Sequence, residues 1–455
     1  MQARTGPHLL VTGPTNIGKS RRVLVPAAVL WAEGPVTFVS SKDNEVELIA
    51  ERRPGPKAIV DLRPVRAPVY PEDVRVYGYD PTATIETPMD ALTVADAVMA
   101  MSTAGLSGGE SRGDSATWEA NASGPLAAFL YAASPLGHGG GMPWVLRAVN
   151  SMGIRAPRTK NPNTPAKESG WQEAARHCAR YDELAIGLEA ISRMGPGQRD
   201  SVAITMRKAV TPWLRMALAA RFDPTLQAPP FTPGFLDDPS ATLFVLSPAE
   251  GTTAGAAVTL IDSLVRRWRD KTAARQQVHR MLLIIDELPN TAPIPSLRRI
   301  VGEARGLGIN MMAAVQDTKS LATVYGASYC DELRAIFPAK LVMYGALERE
   351  ILEAGQEWAG FITRRTQTVG EGGKTAQAGG ELGPAIRWSE LLPEDREHAR
   401  LLRAGDVGEI VRIPDWSVLG DEIDRQMKQI ADETRLVGHR RVLAKLGKRW
   451  KDPRP

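Results

Sequence analysis

A glycine-containing segment near the start of the chain, GPTNIGKS from Gly13 to Ser20, restricts the possible folds more than any other feature. It follows the apolar run HLLVT, which is typical of a buried parallel strand. It precedes RRVLVPAAVLW, whose length and apolar spacing are typical of a helix. Strand, glycine loop and helix form the context that the phosphate-binding pattern GxxxxGK[ST] requires. The alternative is a tight strand-to-helix turn with an incidental lysine, but the flanking elements favour a P-loop and an α/β fold.

The residue types of this loop suit a phosphate cradle. Gly13 and Gly18 let the backbone curl so that N–H groups point at phosphate oxygens, and the following helix N-terminus adds partial positive charge. Lys19 is predicted to reach the β- and γ-phosphates of ATP, and the Ser20 hydroxyl is predicted to bind Mg²⁺. The predicted nucleotide-binding residues are Gly13, Pro14, Thr15, Asn16, Ile17, Gly18, Lys19 and Ser20. Pro26 should remove one backbone hydrogen bond and kink the helix.

The segment MLLIIDELPN provides the acidic partner that a P-loop enzyme needs. Met281 to Ile285 is a continuous apolar run typical of a strand buried on both faces, and it ends in Asp286 and Glu287. Asp286 is predicted to contact Mg²⁺ directly or through water, and Glu287 is predicted to act as base toward the attacking water. The alternative is an acidic helix cap after a core strand, which is common in α/β proteins. The P-loop in the same chain favours the catalytic interpretation.

Two further candidates follow this strand. INMMAAVQD predicts another strand ending at Gln316, whose side chain could sense the γ-phosphate or could be a simple turn residue. A helix is predicted from Ser296 to Arg305, and Arg305 is the candidate for an arginine finger inserted into a neighbouring subunit's nucleotide site. For Arg298, Arg299 or Arg305 taken alone, a solvated helix face is the alternative.

The 455 residues are enough for two or three domains. From Thr37 to Tyr79, short apolar runs alternate with a helical stretch, as in βα units of a parallel sheet. From about Thr84, alanine-rich helical runs replace the strands, and strands resume at ATLFVLSP. The segment from Val369 to Gly383 is glycine-rich and is predicted to be a mobile loop, followed by an edge strand in GDVGEIVRI. The predicted divisions are 1–83 and 231–420 for two parts of one nucleotide-binding domain, 84–230 for an all-helical insert, and 421–455 for a helix and basic tail.

Charge is concentrated at the C-terminus. The net charge is +4, but the tail from His439, HRRVLAKLGKRWKDPRP, has seven Lys or Arg against one Asp and so carries +6. Such a tail commonly meets nucleic acid or an anionic membrane face, although it could also be a solvated, partly disordered arm. The longest apolar stretches are too short to span a membrane, and no export signal is present. Cys178 and Cys330 imply neither a disulfide framework nor a zinc site, so a reducing cytoplasm fits.

Four blocks in the same order resemble the type IV secretion coupling proteins, the TraG/TraD-type conjugative DNA-transfer ATPases. The most specific block is LLIIDELPNTAPIPSLRRIVGEARGLGINMMAAVQDTKSLATVYG. GPTNIGKSRRVLVPAAVL resembles the family's P-loop and its helix with an internal proline, and SSKDNEVELIAERR resembles the segment after its second strand. WEANASGPLAAFLYAAS with GGGMPWVLRAVN resembles the helical insertion of the family's motor domain.

The resemblance implies a RecA-like P-loop NTPase with a mainly parallel sheet and an all-α insert, in the wider HerA/FtsK superfamily. It implies a homo-hexameric motor that couples ATP hydrolysis to moving DNA and a bound relaxase, or another secreted substrate, into a type IV secretion channel. By motif position it implies phosphate and Mg²⁺ roles for Lys19 and Ser20, acidic roles for Asp286 and Glu287, and sensing by Gln316. Arg305, nineteen positions after Asp286, falls where the family has a trans-acting arginine.

Two differences from the family pattern leave alternatives open. Coupling proteins usually begin with transmembrane helices, whereas seven residues precede the first strand here. The chain is therefore expected to be a soluble fragment, a split-gene product, or a relative that docks on a separate membrane-anchoring partner. The expected location is the cytoplasmic face of the inner membrane. The second strand ends in Ser40 and Ser41 rather than in the family's Asp. A soluble HerA/FtsK-type DNA translocase and a nucleotide-gated cargo receptor with little turnover are the competing functions.

Overall fold

A computed structural model describes most of the chain. The described residues are 8–64, 68–103, 112–150, 170–220, 228–249, 254–369 and 375–433. The basic tail from His439, which the sequence singles out, lies outside the described residues.

A ten-stranded sheet runs through the centre of the molecule. Its strands are β1 (Leu9–Thr12), β2 (Val36–Ser40), β3 (Lys57–Asp61), β4 (Val74–Tyr77), β5 (Thr242–Leu246), β6 (Met281–Ile285), β7 (Ile309–Val315), β8 (Ala339–Met343), β11 (His398–Arg403) and β12 (Glu409–Arg412). The strand order is β12-β11-β8-β1-β7-β6-β2-β5-β3-β4. Strands β1 to β8 are parallel, whereas β11 and β12 pair antiparallel at one side. A separate antiparallel ribbon consists of β9 (Phe361–Val369) and β10 (Thr375–Pro384). The predicted α/β class with a mainly parallel sheet is confirmed.

Helices cover both faces of this sheet and form a cluster between β4 and β5. The helices before β5 are α1 (Val25–Leu30), α2 (Asn44–Ala50), α3 (Pro88–Thr103), α4 (Arg112–Ala133), α5 (Gly141–Asn150), α6 (Gly170–His177), α7 (Asp182–Ser192), α8 (Pro196–Ala209) and α9 (Thr211–Ala220). The later helices are α10 (Gly255–Ala273), α11 (Leu288–Thr291), α12 (Leu297–Ala304), α13 (Lys319–Tyr325), α14 (Ala327–Ile336), α15 (Arg349–Ala359) and α16 (Trp416–Glu433). Helices α3 to α9 therefore occupy the region for which the sequence predicts a helical insert.

The core explains why the central strands read as continuous apolar runs. Successive residues of β2 point to opposite faces: Phe38 packs with α1, α2 and α16, whereas Val39 packs with the helices of the other face. Strand β6 is buried along its whole length because both faces are covered. Trp213 is buried in the core cluster that contains Val39.

Two local predictions need correction, and one strand was not predicted. Val369 to Gly383 does not form a loop throughout, because Thr375–Pro384 pairs with Phe361–Val369 in the ribbon. The last edge strand lies in GDVGEIVRI as predicted, but its partner β11 escaped prediction. Pro26 does not simply kink one helix: a π-helical turn at Ser20–Leu24 precedes α1, so that the proline, which lacks an N–H, falls in the first turn of α1.

Among the described residues, no helix combines the length and the apolar character needed to cross a bilayer.

Candidate nucleotide-binding site

The predicted site residues follow three neighbouring strands. Strand β7 lies between β1 and β6, and all three are parallel, so their carboxyl ends meet at one edge of the sheet. The glycine loop follows β1, Asp286 and Glu287 follow β6, and Gln316 follows β7. The loop is also joined to β7 directly, because the Gly13 amide donates a hydrogen bond to the Val315 carbonyl at 3.3 Å. The carboxyl edge thus collects these residues from three distant parts of the sequence.

The loop backbone requires its two glycines. Gly18 has a φ of 95°, a conformation that side-chain-bearing residues rarely adopt. A Cβ on Gly13 would lie 3.0 Å from the Met343 Cβ and 3.1 Å from the Ile17 Cγ2. Asn16 supplies the remaining left-handed position with a φ of 61°. Within the loop, Pro14 and Gly18 are partly exposed, Thr15 and Asn16 are exposed, and Ile17 is buried beneath them.

Lys19 is buried at the mouth of the loop, where it makes two hydrogen bonds. Its Nζ donates to the Gly13 carbonyl at 2.7 Å and to the Pro14 carbonyl at 3.0 Å. Burial lowers the pKa of Lys19, and the carboxylates of Asp286 and Glu287 partly offset that effect. The ammonium is therefore held across the loop by carbonyl groups and by nearby negative charge.

Ser20 and Asp286 meet directly. The Ser20 Oγ donates to the Asp286 Oδ2 at 2.7 Å, although 266 residues separate the two in sequence. Asp286 is 4% exposed, and burial raises its pKa, while the hydrogen bond from Ser20 acts in the opposite direction. A hydroxyl and a carboxylate at this distance are the oxygen ligands that Mg²⁺ prefers beside a phosphate.

Glu287 occupies an uncommon backbone conformation next to Asp286. Its φ of 55° and ψ of 56° are left-handed, which costs of order 1 kcal/mol for a residue with a side chain. The carboxylate accepts hydrogen bonds from Gln316 Nε2 at 2.7 Å on Oε1 and from Asn290 Nδ2 at 3.2 Å on Oε2. The two predicted residues Glu287 and Gln316 are therefore in contact, with Gln316 orienting the acid.

Two acidic residues at this edge escaped prediction. Glu348 is buried and accepts three hydrogen bonds, from Thr12 Oγ1 at 2.6 Å, from the Thr318 amide at 2.7 Å and from Thr318 Oγ1 at 2.6 Å. Glu45 is also buried, its Oε2 has no hydrogen-bond partner, and burial with the nearby Asp286 raises its pKa to about 7. No local signal in the sequence marks Glu348, whereas Glu45 lies in the quoted segment after the second strand but was given no role.

Arg305 lies at the opposite edge of the sheet. It follows α12 and precedes β7, so the length of that strand, on the order of 20 Å, separates it from the P-loop of its own chain. Its side chain is exposed, and its carbonyl accepts a hydrogen bond from Arg280 Nη1 at 3.5 Å. The structure therefore brings together every predicted site residue except Arg305.

The donor set at the carboxyl edge fits a nucleotide with Mg²⁺. Gly13 and Gly18 place no side chain of their own on the loop, the Lys19 ammonium is turned inward onto loop carbonyls, and Ser20 is paired with Asp286. Fold and site together define a protein with a RecA-like fold and a P-loop at the carboxyl edge of its sheet.

Comparison with known proteins agrees with this class. Residues 280–405 match the family described as the TraM recognition site of TraD and TraG. The fold resembles the bacterial conjugative coupling protein TrwBdeltaN70 in its unbound form, with a TM-score of 0.55, 17% identity, and coverage of 91% of this chain and 85% of that chain. The TrwB complex with ADP and Mg²⁺ gives a TM-score of 0.55 at 16% identity, covering 91% of this chain and 87% of that chain. The TrwB complex with a non-hydrolysable ATP analogue gives a TM-score of 0.54 at 18% identity, covering 91% of this chain and 86% of that chain.

No curated protein sequence matches the chain. The resemblance of the motifs to the TraG/TraD-type proteins is confirmed over residues 280–405 by the family match, and the fold is confirmed by the TrwB structures.

Proposed function

We propose that the chain binds and hydrolyses ATP with Mg²⁺ and uses the energy to move DNA as the coupling protein of a conjugative or type IV secretion system. The observation that carries the proposal is the meeting of Lys19, Ser20, Asp286, Glu287 and Gln316 at one sheet edge. Two kinds of evidence support it: the family match over residues 280–405, and the nucleotide complexes of TrwB, a protein with the same fold.

In this proposal the protein supplies electrostatics and positioning. The amides from Gly13 to Ser20 and the Lys19 ammonium hold the phosphates, while Ser20 and Asp286 hold Mg²⁺. When bound, Mg²⁺ supplies positive charge that offsets the charge developing on the transferred phosphoryl group. Glu287 accepts the proton of the attacking water. Gln316 and Asn290 keep the carboxylate oriented through their bonds to Oε1 and Oε2.

We further propose that the site is completed in a homo-hexameric ring. Arg305 is at the wrong edge of the sheet to reach the nucleotide of its own chain, but its exposed position suits contact with a neighbouring subunit. An arginine finger is worth about 10³ to 10⁵ in rate, so hydrolysis should be weak in the monomer and strong in the ring. Residues 84–230 would act as one inserted domain and residues 231–420 as the second part of the motor.

The proposed partners follow from this role. They are DNA, as the transferred single strand or as duplex, a relaxase or other secreted substrate, type IV secretion channel components and a membrane-anchoring protein at the cytoplasmic face of the inner membrane. The family description of residues 280–405 as a TraM recognition site supports partner docking in that part of the chain. If the protein binds DNA through the phosphates, its affinity for DNA should fall steeply with added salt and depend little on the DNA sequence.

The test is the ATPase rate per subunit across a concentration series, with and without single-stranded and double-stranded DNA. Lys19→Ala should lose nucleotide binding, whereas Glu287→Gln should bind nucleotide but lose hydrolysis by a factor of about 10² or more. A matched control is Glu353→Ala, which removes a partly exposed ion pair with Arg349 on α15.

A rate that rises with protein concentration and DNA, and falls in both variants, supports an assembling DNA motor. Nucleotide binding without ATP hydrolysis would contradict the motor function and favour a nucleotide-gated receptor. Strong DNA-stimulated turnover without any interaction with a relaxase or channel component would favour a soluble translocase of the HerA/FtsK type.

A further inference from the structure

A cluster of two histidines and a glutamate lies in the helical region between β4 and β5, far in sequence from every residue of the nucleotide site. His138, Glu173 and His177 each present one ligand atom, and these three atoms lie within 4.8 Å of one another. The imidazole rings of His138 and His177 have centroids 5.0 Å apart and meet edge to face. We propose that this cluster is a binding site for a divalent transition-metal ion of the Zn²⁺ type.

The positions of the three ligands are set by ordered backbone. Glu173 and His177 are one helical turn apart on α6, so their side chains leave the same face of that helix. His138 follows α4, where its amide donates to the Ala132 carbonyl at 2.9 Å and the Gly139 amide donates to the Ser134 carbonyl at 2.9 Å. The metal would thus join the end of α4 to α6.

The surroundings already orient two of the ligands. Trp144 Nε1 donates to Glu173 Oε2 at 3.1 Å, and the Trp144 ring lies 4.6 Å from the His138 ring. A hydrogen bond of this kind to a ligating carboxylate fixes its direction and is a regular feature of metal sites. Arg147 and Arg176 are the nearby cations on the adjoining helices, and Arg147 and His177 disfavour the charged form of His138.

An unmet hydrogen-bonding requirement at His138 points to a ligand. The Nε2 atom of His138 is buried and has no hydrogen-bond partner. Buried polar atoms without a partner are uncommon in folded proteins and call for a specific explanation. Burial also lowers the pKa of His138, although Glu173 opposes that effect, so the ring is available as a neutral imidazole.

Binding through Nε2 has one structural consequence. At present the Gly140 amide donates to His138 Nδ1 at 3.0 Å, which places the proton of the neutral ring on Nε2. Metal binding at Nε2 moves that proton to Nδ1, so the Gly140 amide must turn away. Gly139 and Gly141, with φ values of 68° and 63°, flank this peptide and give the backbone the freedom to do so.

The ligand set selects the class of metal. Two imidazoles and one carboxylate suit Zn²⁺ and related ions, which fill the fourth position with water, whereas Mg²⁺ prefers oxygen ligands throughout. The site is therefore distinct in chemistry from the Ser20 and Asp286 pair.

The experiment is a calorimetric titration of the full chain with ZnCl₂, after removal of any histidine tag and with excess Mg²⁺ to occupy the nucleotide edge. We expect one equivalent of Zn²⁺ to bind, at least tenfold weaker binding in His177→Ala and His138→Ala, and a rise in the unfolding midpoint of roughly 2–5 °C at saturation. His398→Ala, which removes a histidine beside Asp395 in β11, is the matched control and should bind like the wild type.

Circular dichroism of each variant checks that the helices remain folded, and His177→Gln provides a milder replacement. The proposal would be overturned if the wild-type chain failed to bind Zn²⁺ stoichiometrically. It would also be overturned if the wild type, His138→Ala and His177→Ala bound Zn²⁺ with equal affinity.

Discussion

The carboxyl and amino edges of the parallel sheet differ in how their polar side chains are arranged. At the carboxyl edge, side chains from β1, β6 and β7 are already hydrogen-bonded to one another, through the Ser20–Asp286 and Gln316–Glu287 pairs. At the amino edge, Arg305 and Arg280 both lower the pKa of the buried His8, and the exposed Arg305 side chain is remote from the carboxyl-edge residues. The candidate site residues are hydrogen-bonded to one another at the carboxyl edge, whereas the amino edge has an exposed Arg305.

This difference follows from the topology of parallel strands. All carboxyl ends share one edge, so a chain can gather phosphate and metal ligands there, but it cannot place a residue from the amino ends in the same site. A function that needs both sets must use two copies of the chain. The two edges also differ in charge: the carboxyl edge has buried carboxyl groups, whereas the amino edge has cationic side chains.

The largest effect on ATP hydrolysis is expected from variants that each inactivate one of the two edges. Lys19→Ala disables the carboxyl edge and Arg305→Ala the amino edge, and each should reduce ATP hydrolysis by at least about 10³. Mixing the two inactive proteins should restore activity. By random assortment about a quarter of the interfaces in a closed ring then pair an intact P-loop with an intact Arg305.

Arg299→Ala is the control, since Arg299 is an exposed residue on α12, the helix that ends just before Arg305. A mixture no more active than its two components would show that the edges do not cooperate between subunits.

The next largest effect concerns the rigidity of the carboxyl edge. Glu348→Ala leaves the Thr12 hydroxyl, the Thr318 amide and the Thr318 hydroxyl without their buried acceptor. We expect the free energy of unfolding to fall by about 3 kcal/mol. In contrast, Glu353→Ala removes a partly exposed ion pair with Arg349 on the same helix and should cost less than about 1 kcal/mol. Urea unfolding of both variants measures the difference, and equal losses would refute a special role for Glu348.

A third prediction uses the raised pKa of Glu45 at the carboxyl edge. Its pKa rises from an ordinary 4.5 to about 7, so between these values the folded chain keeps a proton that the unfolded chain has lost. The free energy of unfolding should therefore fall as pH rises through this window, by at most about 3 kcal/mol. Glu45→Gln should remove that fall. Unfolding midpoints at pH 5 and pH 7.5, without nucleotide or Mg²⁺, provide the measurement, and an unchanged slope in the variant would contradict it.

The amino edge should show the opposite slope, with an effect of similar or smaller size. Burial, then Arg305 and Arg280, lower the pKa of His8 from 6.5 to about 4. Between these values the unfolded chain binds the extra proton, so the free energy of unfolding should rise with pH. His8→Asn keeps an acceptor for the Met311 amide, which donates to His8 Nδ1 at 3.0 Å, and removes the titration. The same pair of midpoints, measured from pH 4.5 to pH 6.5, should show a flatter dependence in this variant.

The carboxyl edge was largely predictable from sequence, because its signals are local. The glycine loop, the apolar run before Asp286 and the strand ending at Gln316 each lie within a few consecutive residues. Long-range features were not predictable in this way. The pairing of β9 with β10 overrides a glycine-rich composition, and Glu348 finds its partner Thr12 at a separation of 336 residues. The left-handed backbone of Glu287 likewise depends on tertiary contacts rather than on a turn signature.

Glu348 also has a mechanical consequence. One carboxylate fastens the end of β1, the segment after Gln316 and the start of α15, which leads directly into β9. The segment beyond Gln316 therefore cannot shift by itself: it either carries α15 with it or breaks two hydrogen bonds. Glu348 is thus the hydrogen-bonded link between the segment beside the glycine loop and α15, the helix that precedes the ribbon.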